Sequence, residues 1–354
     1  MNVGMVVHRY DPGEGTGGYV VQLLPRIAAE HRVTLYAAVV RAPVPSGVEV
    51  VRVPAIMWRA YTAILSFPAA FAAVRRTHDL VHAQGWVTGR ADVVTAHIVM
   101  AAWRAAARSA GVRSPAGERS LGGLVERCEG ALLRRAGQVI TPSGLARAQI
   151  ERHYGRTDDV TVVHHGFPSP RKPIPQAEAR HYLGLPPEVP LALYVGDVRK
   201  GLAAALAGVA AALPWHLAVA SRSRAAPSPD PRLQGRVHWL SGLDDVTPAY
   251  GAADVLLHPT ICDSFGLVVA EAMACGLPAI VTHSAGISEL IRHAQSGWIA
   301  TSPTSQDVER ALGALLDPAT RRRMGDAARA TVLRRGWDTV ATETLAVYQR
   351  ALCR

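Results

Sequence analysis

Residues 258–290 read HPTICDSFGLVVAEAMACGLPAIVTHSAGISEL, and this stretch decides the fold class. It begins as the tail of an apolar run that a proline stops, and a second apolar run follows at Ala279 to Thr282. Between the two runs, Phe265 to Cys275 has the apolar spacing of a helix. Asp263 and Ser264 are expected to cap the start of this helix, and Gly276 and Pro278 are expected to end it. The pattern predicts a strand, a loop, a helix and a second strand of an α/β protein.

The loop of this unit is suited to an anionic ligand, because N–H groups at a helix start point outward with partial positive charge. Asp263 and Glu271 are eight residues apart, so we expect both carboxylates on one face of the helix. Gly266 leaves room for a phosphate or a ligand backbone to approach closely. The alternative is that Asp263 only caps the helix and Glu271 is a solvated surface acid.

The order of residues in this stretch resembles the donor-site signature of the retaining group 1 glycosyltransferases, which have the GT-B architecture. The matching pattern is an acid, then Phe-Gly, then Glu-Ala-Met-Ala-Cys-Gly-Leu-Pro. The resemblance implies that Asp263 contacts the donor sugar and that Glu271 contacts the nucleotide ribose. It also implies a donor-binding backbone at Ser264, Phe265, Gly266 and Leu267. The family pattern normally begins with glutamate. Asp263 is one methylene shorter, and this difference affects which donor sugar is bound or how it is placed.

Length and composition predict a globular enzyme with two domains. A chain of 354 residues exceeds what one hydrophobic core usually serves, and 49% hydrophobic with 19% charged residues excludes a disordered chain. The four cysteines lack metal-ligand spacing, which argues against a zinc site and a disulfide framework. The N-terminus enters a predicted strand directly, and the longest apolar run, residues 60–74, is too short to span a bilayer. We therefore expect a cytoplasmic protein.

The net charge of +10 predicts anionic partners. No nucleic-acid-binding motif accompanies this charge, and the arginines are spread along the chain, so we expect no nucleic acid partner. The expected partners are a nucleotide diphosphate and an anionic acceptor or membrane surface. The basic, aromatic-rich stretch from Trp58 to Arg76 can lie peripherally on an anionic lipid surface, and the alternative is that it packs in the core.

The first forty residues have the pattern of a nucleotide-binding α/β unit with a glycine-rich loop after Val3 to Val7. Three glycines satisfy GxGxxG, namely Gly13, Gly15 and Gly18. We reject a dinucleotide site because His8 to Pro12 separate strand and loop and the expected acid is absent, although Arg41 could suit NADP. The family resemblance instead implies that Gly17 and Gly18 lie near the donor diphosphate and the acceptor. The alternative is a flexible turn.

Two predicted strands end in histidines, His82 and His97. Ligands in open α/β sheets gather beyond the carboxyl ends of strands, so both are candidate site residues. The resemblance implies that His97 lies beside the transferred sugar, with His82 the weaker candidate. A structural role is the alternative for each histidine.

The segment after the strand Val160 to Val163 resembles the family's crossing between domains, where His165 replaces the usual asparagine and precedes Gly166. We place the domains at 1–167, with a returning helix at about 338–354, and at 168–337. The proline-rich run Pro168 to Pro175 predicts a linker.

The second domain opens with an apolar strand that exits through Gly196 and Asp197 to a basic pair, Arg199 and Lys200. Two cations at a strand-to-helix turn suit a diphosphate. The resemblance implies that they neutralise the leaving nucleotide, with Arg199 taking the role of an arginine that normally stands where Asp197 is. A solvated pair is the alternative. The resemblance further implies that the strand containing Val237 and His238 backs the nucleobase through main-chain contacts.

Together these patterns predict two Rossmann-like domains facing across a cleft, with a C-terminal helix that returns to the first. The resemblance implies a retaining, hexosyl-type glycosyltransferase that uses a nucleotide diphosphate sugar, expected to be a UDP-sugar, and needs no metal or other cofactor. The acceptor would be a hydroxyl of a saccharide, a lipid-linked glycan of the cell envelope or a natural product. The alternatives are a sugar phosphorylase or epimerase, a glycosidase using Asp263 and Glu271 as its acid pair, and a binding-only module.

Overall fold

The computed structural model describes residues 1–58, 60–114, 116–167, 174–222, 230–243 and 245–353. The chain divides into two compact units, one formed by Met1–Gly166 with Trp337–Arg354 and the other by Phe167–Gly336. These limits lie within one residue of the boundaries expected from sequence. Arg59, Lys172 and residues 168–173 of the expected linker lie outside the described residues.

The first domain is built on a seven-stranded parallel sheet. Its strands and those of a small two-stranded sheet are β1 (Asn2–Val6), β2 (Arg9–Tyr10), β3 (Arg32–Ala37), β4 (Val39–Val40), β5 (Glu49–Arg52), β6 (Leu80–Gln84), β7 (Val93–Thr95), β8 (Gln138–Thr141) and β9 (Val160–Val162). The large sheet has the order β5-β3-β1-β6-β7-β8-β9, and β2 pairs with β4. Its helices up to the domain boundary are α1 (Gly15–Glu30), α2 (Ala60–Val74), α3 (Met100–Ser109), α4 (Ala116–Arg135) and α5 (Gly144–Tyr154). Because the strands are parallel, their carboxyl ends meet at one edge of the sheet.

The second domain is built on a six-stranded parallel sheet. Its strands are β10 (Leu191–Val195), β11 (His216–Ala220), β12 (Val237–Leu240), β13 (Val255–His258), β14 (Ala279–Thr282) and β15 (Trp298–Ala300), in the order β12-β11-β10-β13-β14-β15. Its helices are α6 (Gln176–Tyr182), α7 (Leu202–Ala211), α8 (Thr247–Ala252), α9 (Leu267–Ala274), α10 (Ser305–Ala314) and α11 (Pro318–Val332). The central strands β10, β13 and β14 are fully buried, as expected for parallel strands covered by helices on both faces.

The C-terminal helix α12 (Trp337–Leu352) belongs to the first domain, which confirms the predicted return. Val340, Val347 and Tyr348 on this helix are fully buried in the core that also contains residues of β1, β3 and α1. On its outer side, the Asp338 carboxylate lies 2.5 Å from Nε of Arg26 on α1. The last residues of the chain therefore complete the core of the first domain.

The predicted start of helix α9 was wrong. The helix begins at Leu267, and the residue that caps it is Gly266, whose φ of +104° lies in the left-handed region that favours glycine. Asp263 forms a bridge to Ala285 outside the helix, since its N–H donates to the Ser284 carbonyl at 2.8 Å and its carbonyl accepts from the Gly286 N–H at 3.0 Å. Asp263 and Ser264 are therefore not the predicted caps. Asp263 and Glu271 also do not share a helix face.

The glycines near the N-terminus lie inside helix α1, so the alternative of a flexible turn was wrong for Gly17 and Gly18. A Cβ atom at residue 17 would lie 2.5 Å from the Asp11 carbonyl oxygen, and one at residue 18 would lie 3.1 Å from the Pro12 carbonyl oxygen. Gly17 is needed because the preceding loop packs directly against the helix backbone.

Among the described residues, no helix combines the length and apolar character needed to cross a membrane.

Candidate active site

The turn that follows β10 holds the predicted basic pair, but its two cations have different partners. Asp197 accepts a hydrogen bond from the Arg199 backbone N–H at 2.9 Å and binds the guanidinium, with Oδ2 lying 2.7 Å from Nη2. Burial would raise the pKa of Asp197, but the hydrogen bonds and charge of Arg199 outweigh this effect and lower it. Arg199 is therefore held within its own turn by the acid that stands where the family has arginine.

Lys200 reaches out of this turn to the loop after β13. Its Nζ lies 2.9 Å from Oδ2 of Asp263. The two loops are also joined by their backbones, since the Ile261 N–H donates to the Lys200 carbonyl at 2.9 Å. A Cβ atom at Gly201 would lie 2.2 Å from the Pro259 carbonyl oxygen, so the close approach requires glycine. The structure thus brings together two residues that sequence placed 63 positions apart.

A histidine that sequence analysis did not single out contacts the ion pair between Lys200 and Asp263. His258 ends β13, its side chain is 5% exposed, and its Nε2 lies 3.3 Å from Oδ2 of Asp263. Burial alone would raise the pKa of the Asp263 carboxyl. The charge of Lys200 and the neighbouring His258 ring outweigh burial, so the pKa lies well below its ordinary value. The Asp263 side chain, which is 17% exposed, is therefore a carboxylate. The signal that could have revealed His258 is its position at a strand end.

The residues at the start of α9 contribute mainly backbone. Phe265 is 2% exposed and its ring lies 6.3 Å from that of Phe167, so its side chain is part of the core of the second domain. Its N–H donates to Oδ1 of Asp263 at 3.3 Å. Ser264 and Gly266 are also buried, whereas Leu267 is partly exposed. Candidate ligand contacts in this segment are therefore N–H groups rather than side chains.

Glu271 lies one helical turn into α9 and is bound by a tyrosine from a different helix. The Tyr250 hydroxyl of α8 donates to Oε2 of Glu271 at 2.8 Å. Tyr250 is buried, and burial together with the Glu271 charge raises the pKa of its hydroxyl well above the ordinary value. Sequence analysis missed Tyr250 because the contact joins two helices 21 residues apart. Glu271 is partly buried and oriented, which contradicts the alternative of a freely solvated acid.

The edge strand β12 carries Val237 and His238, both partly buried. Nε2 of His238 lies 3.1 Å from Nδ1 of His216, and the two rings are stacked with an interplanar angle of 10°. Burial lowers the pKa of His238. Its ring lies against His216 of the neighbouring strand, and the main-chain contact with a nucleobase stays a prediction. Gly196, at the exit of β10, has a φ of +136° and is partly buried.

In the first domain, His97 follows β7 and lies in a cluster of rings. Its Nε2 lies 2.8 Å from Oε1 of Gln84, and its ring centroid lies 4.8 Å from that of Tyr19 and 5.9 Å from that of His165. Burial lowers the pKa of His97 to about 3, so the imidazole is neutral at pH 7. Sequence analysis missed Gln84 and Tyr19, although Gln84 is the last residue of β6.

The predicted strand-end position of His82 was wrong, since His82 lies in the middle of β6 and is a core residue. It is fully buried, and its two ring nitrogens lie 2.7 Å from the Tyr348 hydroxyl and 2.7 Å from the Thr95 hydroxyl. Burial lowers its pKa to about 3. The structural alternative is therefore right for His82, which has no surface to offer a substrate.

His165 and Gly166 complete the ring cluster of the first domain. The His165 ring is 4% exposed and lies 4.9 Å from Tyr19 and 6.4 Å from Trp337 of α12. A Cβ atom at residue 166 would lie 2.8 Å from the Trp337 ring, so glycine is required by packing. His97, His165 and Tyr19 are thus brought together, with Trp337 as a partner that sequence analysis did not connect to them.

In the part of the chain that the structure describes, no group of three or more His, Cys, Asp or Glu side chains could hold a metal ion. The expectation that the enzyme needs no metal or other cofactor stays a prediction.

Two family models match the chain, one in each half. Residues 13–169 match Glycosyltransferase Family 4, and residues 230–331 match Glycosyl transferases group 1. The second range contains Asp263, Glu271 and the whole of α9. Fold and site define the class as a glycosyltransferase of GT-B architecture. The two matches together support a group 1 glycosyltransferase.

Individual relatives agree with this placement. The chain is 28% identical to a D-inositol 3-phosphate glycosyltransferase of Streptomyces bingchenggensis, across 97% of this chain and 87% of the relative. Among solved structures, sucrose-phosphate synthase from Thermosynechococcus elongatus matches with a TM-score of 0.81 and 22% identity over 100% of this chain and 99% of that chain. Anabaena Alr3699/HepE in complex with UDP-glucose matches with a TM-score of 0.70 and 16% identity over 99% of both chains. The predicted fold class and glycosyltransferase activity are confirmed.

Proposed function

We propose that this glycosyltransferase is a retaining enzyme that moves a hexose from a UDP-sugar to a hydroxyl of a saccharide, a lipid-linked glycan or a natural product. The observation that carries the proposal is the ion pair between Lys200 and Asp263, because it joins a cation suited to the diphosphate to a carboxylate suited to the sugar. The UDP-glucose bound by Alr3699/HepE, which has the same fold, supports the choice of donor.

The leaving group sets the main chemical demand. When the bond between the anomeric carbon and the diphosphate breaks, its electron pair goes to the diphosphate, and a fixed cation there lowers the barrier. Lys200 is the residue we assign to this role, since it lies in the turn after β10 and its side chain is 31% exposed. The N–H groups of Gly266 and Leu267 are the second source of positive potential, since the Phe265 N–H already donates to Asp263. We assign Arg199 a lesser part, because Asp197 already holds its guanidinium.

The remaining residues orient the donor. Asp263 is ionised and would accept hydrogen bonds from sugar hydroxyls, while Glu271, oriented by Tyr250, would accept from the ribose hydroxyls. His97 is neutral, so it would offer a lone pair to the sugar's primary hydroxyl or to positive charge developing on the ring. The main chain of Val237 and His238 would back the nucleobase.

The name of the relatives suggests a first acceptor to test. D-inositol 3-phosphate is a phosphorylated polyol, and an anionic acceptor agrees with the net charge of +10. A cell-envelope glycan is the other candidate, because Trp58 before α2 is 80% exposed and could contact an anionic membrane surface from the cytoplasmic side.

A thermal-shift panel of UDP-, GDP- and ADP-sugars tests the proposal, followed by hydrolysis and transfer assays with the best ligand. We expect UDP compounds to raise the melting temperature of the wild type, and Lys200→Ala together with Glu271→Ala to abolish the shift. No shift with any nucleotide sugar would remove the donor assignment. Turnover that requires inorganic phosphate would favour a phosphorylase, release of an isomerised sugar nucleotide would favour an epimerase, and glycoside cleavage without nucleotide would favour a glycosidase. Binding without turnover would favour a binding module.

A further inference from the structure

A chain of buried hydrogen bonds connects the C-terminal helix to His97. The Tyr348 hydroxyl of α12 lies 2.7 Å from Nδ1 of His82, and Nε2 of His82 lies 3.2 Å from Nε2 of Gln84. At the other end of the same amide, Oε1 of Gln84 lies 2.8 Å from Nε2 of His97. Tyr348, His82 and Gln84 are at most 2% exposed, so water does not compete for these contacts.

The orientation of the Gln84 amide determines which nitrogen of His97 carries the proton. The amide nitrogen also lies 3.1 Å from Sδ of Met5, and a thioether sulfur can only accept a hydrogen bond. The nitrogen end is therefore directed to Met5 and His82, and the oxygen end to His97. Because Oε1 is an acceptor, the facing Nε2 of His97 must be the protonated nitrogen.

His82 in turn determines the orientation of the Gln84 amide. Nε2 of His82 faces the amide N–H of Gln84 and the Thr95 hydroxyl, 2.7 Å away, so it accepts. The single proton of the neutral ring is then on Nδ1, which donates it to the Tyr348 oxygen. Each hydrogen bond therefore sets the direction of the next one, with Tyr348 as the acceptor at one end and His97 as the donor at the other.

We propose that Tyr348, acting through His82 and Gln84, is a positioning residue that holds His97 in the tautomer with the proton on Nε2 and the lone pair on Nδ1. The Tyr348 hydroxyl contacts His82, which contacts Gln84, so its effect reaches His97 through the amide. The consequence for catalysis rests on the proposed function, since only a sugar hydroxyl that donates would use the Nδ1 lone pair. The tautomer itself can be observed without any substrate.

The test is the nitrogen spectrum of His97 in protein labelled with ¹⁵N-histidine, read from long-range proton–nitrogen correlations. His97→Gln identifies the signal by its loss. In the wild type we expect the proton on Nε2.

Tyr348→Phe removes the acceptor for His82 Nδ1–H. The His82 proton should then move to Nε2, where Thr95 can accept it, and the Gln84 amide should turn over. We therefore expect the His97 proton to move to Nδ1.

The matched control is Thr344→Val on the same helix. Thr344 is fully buried, and its hydroxyl donates to the Val340 carbonyl of its own helix at 2.7 Å, so the variant perturbs α12 without touching the chain of hydrogen bonds. It should leave the His97 tautomer unchanged. Should Tyr348→Phe not fold, Met5→Leu removes the sulfur that orients Gln84 and should populate the second tautomer of His97.

The proposal is overturned if His97 keeps its Nε2 proton in the Tyr348→Phe variant. If Tyr348→Phe does not fold, the same result in Met5→Leu overturns it. It is also overturned if Thr344→Val moves the His97 proton as much as Tyr348→Phe does. These outcomes do not depend on turnover, so a protein that bound no sugar nucleotide would refute the proposed function and leave the tautomer result intact. In an active enzyme, we expect Tyr348→Phe to lower kcat on the order of tenfold to a hundredfold, with UDP affinity unchanged.

Discussion

The ammonium of Lys200 lies 2.9 Å from the carboxylate of Asp263, so the cation expected to bind the diphosphate and the acid expected to bind the sugar are paired with each other. A donor must therefore exchange with an existing partner at each residue. His258, 3.3 Å from the same carboxylate oxygen, stays beside Asp263 when Lys200 turns to a phosphate. In the proposed function, this arrangement would couple binding of the leaving group to release of the acid assigned to the sugar.

Replacing Asp263 by asparagine tests diphosphate binding by Lys200 separately from sugar binding by Asp263. Lys200 loses its anionic partner, so we expect Asp263→Asn to bind UDP with equal or higher affinity than the wild type. Hydrolysis of the UDP-sugar should fall at least about tenfold, because the sugar loses a charged acceptor for its hydroxyls. Calorimetry with UDP and a steady-state assay with the sugar nucleotide measure the two effects. A variant that loses UDP affinity and turnover together would contradict the assignment of Asp263 to the sugar.

Glu271 should be tested by its selectivity for the ribose. We expect Glu271→Gln to weaken UDP binding about tenfold or more, the value of one charge-assisted hydrogen bond. It should weaken 2′,3′-dideoxy-UDP much less, because that ligand lacks the hydroxyls Glu271 is proposed to bind. Tyr250→Phe, which removes the hydroxyl that orients the carboxylate, should show a smaller effect of the same kind. An equal loss of affinity for both nucleotides would place Glu271 away from the ribose.

Glu129 predicts a pH dependence of stability that is separate from catalysis. This buried carboxyl accepts hydrogen bonds from the Tyr154 hydroxyl and from the Met100 N–H, the latter at 2.8 Å, and burial raises its pKa from 4.5 to about 7. A raised pKa in the folded state stabilises the fold at pH below 4.5, and this contribution is lost as pH rises to about 7. Relative to Glu129→Gln, the free energy of unfolding of the wild type should fall by on the order of 3 kcal/mol between pH 4 and pH 8.

Urea unfolding of the wild type and of Glu129→Gln at several pH values measures the difference between their free energies of unfolding. The titration of all other groups contributes equally to both proteins and cancels in this difference. Parallel pH dependence in wild type and variant would show that Glu129 does not titrate in this range.

Gly266 predicts a backbone effect at the donor site. An alanine there would have to adopt a φ of +104°, and its Cβ would lie 3.2 Å from Cγ2 of Ile287. We expect Gly266→Ala to lower the free energy of unfolding by about 1–3 kcal/mol. Gly313→Ala is the matched control, because Gly313 lies in helix α10 with open space at its Cβ, and there we expect a gain of up to about 1 kcal/mol. Equal effects in chemical denaturation would argue against strain at Gly266.

Sequence reasoning located the elements of the fold because buried parallel strands and capped helices leave local patterns. The strands β10, β13 and β14 consist almost entirely of apolar residues, and Ser143 caps α5 by accepting from the Ala146 N–H at 3.0 Å. The start of α9 was misplaced because Asp263 and Ser264 have good capping chemistry. The bridge between Asp263 and Ala285, a contact between two loops, overrides that local preference.

The candidate site was predicted residue by residue and not as a set of contacts. Lys200, Asp263 and His97 were identified from strand-end position and family resemblance, which are properties of short segments. Their partners Tyr250 and Gln84 were not, because each contact joins segments that only the folded chain brings together. His258 was missed although it lies shortly before Asp263 in the chain. The pairing of Arg199 with Asp197 could have been read locally, since the two residues are in one turn and have opposite charge.

The most direct test of the account is calorimetric titration of Lys200→Met with UDP and with uridine, beside the wild type and Arg199→Met. UDP binds the wild type more tightly than uridine does because of its diphosphate, and we expect Lys200→Met to lose most of this additional affinity. Arg199→Met should lose much less, because the Arg199 guanidinium of the wild type is already paired with Asp197. If Lys200→Met bound UDP as tightly as the wild type, Lys200 would not be the residue that holds the diphosphate.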